Sequence, residues 1–234
     1  MSLSRYSVIS EKNPREIVLL RGRGCFWKKC RFCDYHLDSC PDPVANCEVN
    51  AEALAQVTGK YGVLEVVNSG SFPELDASTL ALLETTCYFR KIHTLHLEAH
   101  WHYRDRLDGF REQFKKAGIT TIFKIGVETF DVAFRENVLN KNMGNVSPEE
   151  IAQYFQEACL LVGLAGQTLE TMRQDIDIGL AHFKRVCINV MSPCTAPLVP
   201  DKAVIDIFMN SIYPKIITNP QIDILISNTD FGIG

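Results

Sequence analysis

Short apolar runs alternate with longer amphipathic stretches along most of the chain. Seven runs predict strands: EIVLL (16–20), VLEVVNSGS (63–71), IHTLHLEAH (92–100), ITTIFKIGVET (119–129), LLVGLAGQT (160–168), RVCINVMSP (185–193) and QIDILIS (221–227). Between them, helices are predicted at 48–60, 77–90, 103–117, 168–182 and 201–213. One more helix is predicted from Ser147, which is a good N-cap, because Pro148 suits the first helical position and Glu150 completes a capping box.

This alternation predicts right-handed βαβ units built on a parallel sheet, and hence an α/β fold. Six units fit a partial (β/α)6 TIM-like barrel as well as an open doubly wound sheet. No linker or low-complexity segment divides the series, so we expect residues 1–234 to form a single domain. In both folds ligands bind at the carboxyl ends of the strands, and the residues that follow each strand are therefore the first candidates for a site.

Composition narrows the class of protein. A chain of 234 residues with 46% hydrophobic content can bury a full core, and it contains no apolar run of about eighteen residues that would cross a membrane. The N-terminus lacks the pattern of a secretory signal, which predicts a cytoplasmic protein. A formal charge of −4 without a long basic run argues against direct binding of nucleic acid and favours a small-molecule substrate. Asp175 and Asp177, on one predicted helix, are expected to be solvated.

Cysteines carry the clearest chemical signal. Nine cysteines without a secretory signal indicate a reducing compartment and metal chemistry, and three of them, Cys25, Cys30 and Cys33, lie within nine residues after the first predicted strand. A tetrahedral zinc site needs a fourth ligand, and no second CxxC follows at a zinc-ribbon spacing. A [4Fe–4S] cluster held by three cysteines keeps one iron open for an external ligand. A zinc-binding interaction domain is the alternative from a different class.

At these cysteines the chain resembles the radical S-adenosylmethionine enzymes, whose triad is CxxxCxxC with an aromatic residue before the last cysteine. Phe32 has that position, although the first gap is four residues here instead of three. Four more segments resemble motifs of this family in the same order: NSGSF (68–72), Glu98 after the third strand, GVETFD (126–131) and GLAGQT (163–168). The resemblance covers most of the chain and implies the partial barrel and two cofactors, a [4Fe–4S] cluster and S-adenosylmethionine.

The resemblance also implies roles for individual residues. Cys25, Cys30 and Cys33 would bind the cluster. S-adenosylmethionine would be held by oxygen atoms of the NSGSF segment at its amine, by Lys141 at its carboxylate, by Glu128 at its ribose hydroxyls and by Phe32 and Tyr35 at its adenine; the residues of that segment are Asn68, Ser69, Gly70 and Ser71. The cluster would receive its electron from a protein such as flavodoxin or ferredoxin.

The substrate is predicted from the length of the chain and from the resemblance of its motifs to those of radical enzymes that modify bases. The chain has the length of a bare core without RNA-binding modules, which favours a free small molecule as substrate. In this respect it resembles the queuine lyase subgroup. Members of that subgroup are carbon–nitrogen lyases that cut queuine to 7-aminomethyl-7-deazaguanine for queuosine salvage into transfer RNA. Such a substrate has a guanine-like edge and a cationic amine, and Glu98, Asn228 and Asp230 are candidates to bind them. A radical enzyme that acts on another small base or on a peptide remains an alternative.

Overall fold

The computed structural model describes residues 3–234. Contacts among these residues divide the chain into two compact units. The first unit contains the chain up to Lys28, Tyr35–Phe123 and Phe231–Gly234, and the second contains Lys29–Asp34 and Lys124–Asp230. Six βα units follow one another along the chain, as predicted, and an eighth strand follows the last of them.

The first unit is built on β1 (Tyr6–Ile9), β2 (Arg15–Leu20), β3 (Val63–Asn68) and β4 (Thr94–Glu98). β1 runs antiparallel to β2, and β2, β3 and β4 pair in parallel. Its helices are α1 (Pro43–Ala55), α2 (Ala77–Phe89) and α3 (Leu107–Lys116). Short 3-10 helices occupy Tyr35–Leu37, Phe72–Glu74 and Trp101–Arg106.

Two elements of this unit differ from the sequence prediction. The first helix begins at Pro43 and ends at Ala55 instead of spanning 48–60, because Asp42 accepts a hydrogen bond from the Val44 N–H as an N-cap and Pro43 suits the first turn. Strand β1 was not predicted, since four residues are too few to show a period. It is stabilised by long-range pairing with β2 and by a 2.7 Å hydrogen bond from the Tyr6 hydroxyl to Glu16.

Strand β5 spans Thr120–Glu128, and its residues from Lys124 onward belong to the second unit. In that unit it is followed by the parallel strands β6 (Glu157–Val162), β7 (Arg185–Val190) and β8 (Ile222–Leu225). Its helices are α4 (Pro148–Tyr154), α5 (Leu169–His182), α6 (Lys202–Ser211) and α7 (Tyr213–Ile216), with a π-helical turn at Phe134–Val138. Ser147 caps α4 in the predicted capping box. Among residues 3–234, every helix is too short or too polar to cross a lipid bilayer.

Asp175 on α5 is buried, which contradicts its expected solvation, whereas Asp177 is exposed. The Asp175 carboxylate accepts a 2.7 Å hydrogen bond from the Phe130 N–H and thereby fixes the chain just beyond β5. Burial raises the pKa of Asp175 to about 6, although hydrogen bonds from Phe130 and Thr129 act in the opposite direction. A helix residue thus holds the loop that follows Glu128.

Asp175→Asn is expected to flatten the pH dependence of stability. Because the folded-state pKa of Asp175 lies above its ordinary value of 3.8, the folded protein binds more protons than the unfolded chain between about pH 4 and 6. Its contribution to the free energy of unfolding is therefore fully present below about pH 4 and falls, by at most about 3 kcal/mol, as the pH rises through 6. Urea unfolding at a series of pH values measures this slope.

Asp177→Asn provides the matched control, since Asp177 lies on the same helix and is exposed. The control is expected to keep the wild-type slope. An unchanged slope in Asp175→Asn would show that another group titrates in this range.

Candidate active site at the cysteine loop

The loop between β2 and α1 carries the three clustered cysteines. All three are partly exposed and none of them forms a disulfide among the described residues, whereas Cys87 and Cys159 are buried. The base of the loop is closed within the first unit, because the Cys40 N–H donates to the Gly22 carbonyl at 3.0 Å and Gly22 bridges to Ser39. Cys25 thus follows a segment whose backbone is already fixed.

Residues 29–34 of this loop belong to the second unit and are held by its backbone. The Arg31 N–H donates to the Leu139 carbonyl at 2.9 Å, and the Arg31 carbonyl accepts from the Leu198 N–H at 2.7 Å. Phe32 packs against an apolar cluster formed by Leu139, Leu161, Leu164 and Met191. Because Phe32 lies between Cys30 and Cys33, these contacts determine where the two thiols are presented.

A buried ion pair lies beside these two cysteines. Lys141 Nζ donates to Glu128 Oε1 at 2.7 Å and lies 5.4 Å from the centre of the Phe32 ring. Burial lowers the pKa of Lys141, but the charges of Glu128, Cys30 and Cys33 outweigh it and raise the pKa well above its ordinary value. A permanent cation next to Cys30 and Cys33 favours their thiolate forms, which are the forms that bind metal.

The backbone makes room for this ion pair at two positions of β5. Glu128 adopts a φ of 70°, an unusual conformation for a non-glycine residue, which redirects its side chain at the end of the strand. A Cβ atom at Gly126 would lie 2.5 Å from Glu128 Oε1 and 3.0 Å from Lys141 Nζ. A side chain at position 126 would therefore displace the ends of Glu128 and Lys141 from their present positions.

The loop after β3, in the first unit, contains the oxygen atoms that were predicted to accept hydrogen bonds from the amine. Asn68 Oδ1 is buried and has no hydrogen-bond partner among residues 3–234. Ser69 Oγ accepts from the Gly22 N–H at 3.4 Å, and Ser71 Oγ accepts from the His100 N–H at 2.9 Å. A buried acceptor without a partner is costly, so Asn68 fits a ligand that brings a donor such as an amine.

Sequence reasoning missed Glu74, which follows the NSGSF segment. Glu74 Oε1 accepts from the Phe26 N–H at 2.6 Å and from the Tyr103 hydroxyl at 2.9 Å, and Oε2 accepts from the Ser71 N–H at 2.5 Å. The signal was present in the sequence, because Ser71 and Glu74 have capping-box spacing. What the spacing does not show is that the same carboxylate reaches the residue after Cys25.

The remaining predicted residues belong to three segments of the chain. Tyr35 is 54% exposed in its short 3-10 helix, and Glu98 is half-buried as the last residue of β4. Asn228 is exposed, and the Asp230 carboxylate accepts from the Ile226 and Ser227 N–H groups at 2.7 and 2.8 Å, closing the turn after β8. The roles of these residues in ligand binding stay predictions.

The donor side chains bear on the kind of metal centre that the cysteine loop can hold. Among residues 3–234, no three His, Cys, Asp or Glu side chains converge on a point that could hold one metal ion. Three cysteines that hold a [4Fe–4S] cluster each bind a different iron, so they need not meet at one point. Three accessible thiols, two of them beside the Lys141 cation, fit the donor set of that cluster.

Comparison with known proteins identifies the family. No family model and no curated protein matches the chain. A solved structure does match: the queuine lyase from Clostridium spiroforme bound to S-adenosylmethionine and queuine is 43% identical, covers 100% of both chains and superimposes with a TM-score of 0.95. The chain belongs to the queuine lyase family. It is therefore a radical S-adenosylmethionine lyase, and the prediction of this class over a zinc-binding interaction domain is confirmed.

The full-length likeness also confirms the predicted α/β partial-barrel fold class of this queuine lyase family member. The family uses a [4Fe–4S] cluster, as predicted from the cysteine triad.

Gly126→Ala is expected to destabilise the protein by about 1–3 kcal/mol, since the added Cβ would push Glu128 and Lys141 apart in a packed interior. Gly109→Ala is the matched control, because a Cβ there meets nothing within 4 Å and alanine favours the helix α3 by about 0.5–1 kcal/mol. Urea denaturation of both variants measures the difference. Equal stabilities would show that the ion pair tolerates displacement.

Proposed function

We propose that this queuine lyase family member cleaves queuine to 7-aminomethyl-7-deazaguanine by radical chemistry. The observation that supports the proposal most strongly is 43% identity over the whole length of the Clostridium spiroforme queuine lyase, which binds S-adenosylmethionine and queuine. The product would enter queuosine salvage, where the base is returned to transfer RNA.

Cys25, Cys30 and Cys33 each bind one iron in this proposal. Their spacing after β2 and the Lys141 cation beside Cys30 and Cys33 support it. When bound, the cluster would pass one electron from the proposed donor to S-adenosylmethionine, which would yield methionine and a 5′-deoxyadenosyl radical able to take a hydrogen atom from the substrate. The protein orients both ligands and excludes water from them.

Residues of the NSGSF segment and of the cysteine loop hold S-adenosylmethionine in the proposal. Asn68 Oδ1 accepts from the amine, which is supported by its burial without a partner among residues 3–234. Ser69, Gly70 and Ser71 contribute neighbouring backbone and hydroxyl groups. Phe32 and Tyr35 pack against the adenine.

The Glu128–Lys141 pair also binds S-adenosylmethionine in the proposal. Lys141 binds the carboxylate and Glu128 accepts from the ribose hydroxyls, with each side chain held in place by the other at 2.7 Å. Because the two groups are already desolvated and oriented, little side-chain entropy is lost when the ligand binds.

Substrate binding is assigned to Glu98, Asn228 and Asp230. Carboxylates suit the N–H donors of a deazaguanine edge and a cationic amine. The net charge of −4 supports a free base as substrate in preference to transfer RNA. Flavodoxin or ferredoxin is the proposed electron donor. None of the nine cysteines forms a disulfide in residues 3–234, which supports a reducing cytoplasm as the location.

Anaerobically reconstituted protein is expected to convert queuine to 7-aminomethyl-7-deazaguanine with release of 5′-deoxyadenosine when a reductant is present. Product is measured by mass spectrometry and iron by colorimetric assay. Cys25→Ala, Cys30→Ala and Cys33→Ala are each expected to abolish product formation with the fold retained. Cys87→Ala is the control, because Cys87 lies buried in α2 and takes no part in the proposed site.

Two results would contradict different parts of the proposal. Release of 5′-deoxyadenosine with intact queuine would mean that another small base or a peptide is the substrate. Full activity in any one of the three triad variants would show that the missing cysteine is not an iron ligand.

Glu98→Gln is expected to weaken queuine binding at least tenfold and to leave S-adenosylmethionine binding within about twofold of wild type. Loss of a charged, hydrogen-bonded partner in a desolvated site costs several kcal/mol, and tenfold corresponds to about 1.4 kcal/mol. Calorimetric titration with each ligand separates the two effects. Glu112→Gln on α3 is exposed and is expected to change neither affinity. Equal weakening of both ligands by Glu98→Gln would place Glu98 outside the substrate subsite.

A further inference from the structure

The Glu74 carboxylate joins three segments of the first unit. It accepts hydrogen bonds from the Phe26 N–H, which follows Cys25, from the Ser71 N–H after β3 and from the Tyr103 hydroxyl after β4. Two of these donors are backbone groups, so the contacts fix the course of the chain as well as the side chain. Glu74 therefore determines where the Cys25–Phe26 peptide lies.

Gly70 shows how closely the Cys25 backbone approaches this carboxylate. A Cβ atom at Gly70 would lie 3.0 Å from Cys25 N and 3.1 Å from Cys25 Cα, and it would also meet Glu74 Oε2. The backbone of Cys25, the backbone of Gly70 and the Glu74 carboxylate are thus in mutual contact. No side chain separates the charge of Glu74 from the Cys25 peptide.

No cation neutralises this carboxylate in the part of the chain that the structure describes. Its hydrogen-bond partners are two peptide N–H groups and a phenol. Arg106 lies 5.6 Å from the centre of the Tyr103 ring and forms no ion pair with Glu74. Glu74 is therefore a carboxylate whose hydrogen-bond donors are all neutral, and it lies beside one of the proposed iron ligands.

We propose that Glu74 is a positioning residue that holds the Cys25 peptide in place and lowers the reduction potential of the cluster. This inference rests on the proposed function, because it requires Cys25 to be an iron ligand. The potential of an iron–sulfur cluster depends on net charge, hydrogen bonding and exposure around it. A fixed negative charge nearby opposes the uptake of an electron by Coulomb repulsion and makes the reduced cluster a stronger reductant.

Tyr103 moderates the same effect. Its hydroxyl donates to Glu74 Oε1 and withdraws part of the negative charge from the carboxylate. The Phe26 ring contacts the rings of His100, His102 and Tyr103, with a distance of 4.4 Å between the ring centres of Phe26 and His102. These contacts help to fix the residue whose N–H donates to Glu74.

Reduction potentials of reconstituted protein without S-adenosylmethionine test the proposal, with the reduced cluster measured by electron paramagnetic resonance. Glu74→Gln removes the carboxylate. At a fixed solution potential, it is expected to raise the ratio of reduced to oxidised cluster by about threefold to tenfold, where tenfold corresponds to about 59 mV for one electron. Glu74→Asp keeps the charge and is expected to stay within twofold of wild type. Tyr103→Phe leaves the carboxylate less neutralised and is expected not to raise the ratio.

Glu112→Gln serves as the control for removing an exposed, distant carboxylate and is expected to leave the ratio unchanged. A wild-type ratio in Glu74→Gln, or an equal rise in Glu74→Asp, would overturn the proposal. If Glu74→Gln retains no iron, Tyr103→Phe decides, and a rise in its reduced fraction would overturn the charge effect. Wild-type protein that binds no four-iron cluster would instead refute the proposed function, which is separately visible in the iron content.

Discussion

The parallel register of β2, β3 and β4 is the constraint on which the arrangement of the first unit depends. Leu20 pairs with Asn68, and Val66 pairs with Leu97, so the three strands end at one edge of the sheet. The loops that follow them are therefore close together without any dedicated contact. Contacts between the cysteine loop, the NSGSF loop and the segment after β4 then select one conformation from those the register allows.

Charge is distributed differently around the cysteines in the two units. Cys30 and Cys33 lie near Lys141, whose positive charge is balanced by Glu128. The peptide that follows Cys25 donates to Glu74, whose partners are neutral. A cation that favours thiolate formation and a carboxylate that opposes electron uptake suit a centre that must bind iron firmly and give up its electron readily.

Much of this site is held by backbone atoms and by side chains that bind no ligand in our proposal. Asp175 fixes the chain after β5, Gly126 leaves space for the ion pair, and the Arg31 backbone is bonded on both sides. Such residues orient the ligand-binding groups in advance, which reduces the entropy lost on binding. Their substitution is expected to change affinity or potential through geometry, with no contact to the ligands.

The sequence by itself determined the alternation of strands and helices, the class of fold and the chemistry of the cysteine loop. These follow from local properties: hydrophobic period, capping residues at Ser147 and Pro148, and thiols a few residues apart. Only the tertiary structure decided that Asp175 is buried, that Lys141 pairs with Glu128 and that Glu74 reaches the Phe26 peptide. The Lys141–Glu128 and Glu74–Phe26 contacts join residues 13 and 48 positions apart, and the burial of Asp175 depends on which face of its helix is covered. A local sequence pattern encodes neither kind of feature. Strand β1 was missed for the same reason, since four residues become a strand only by pairing with β2.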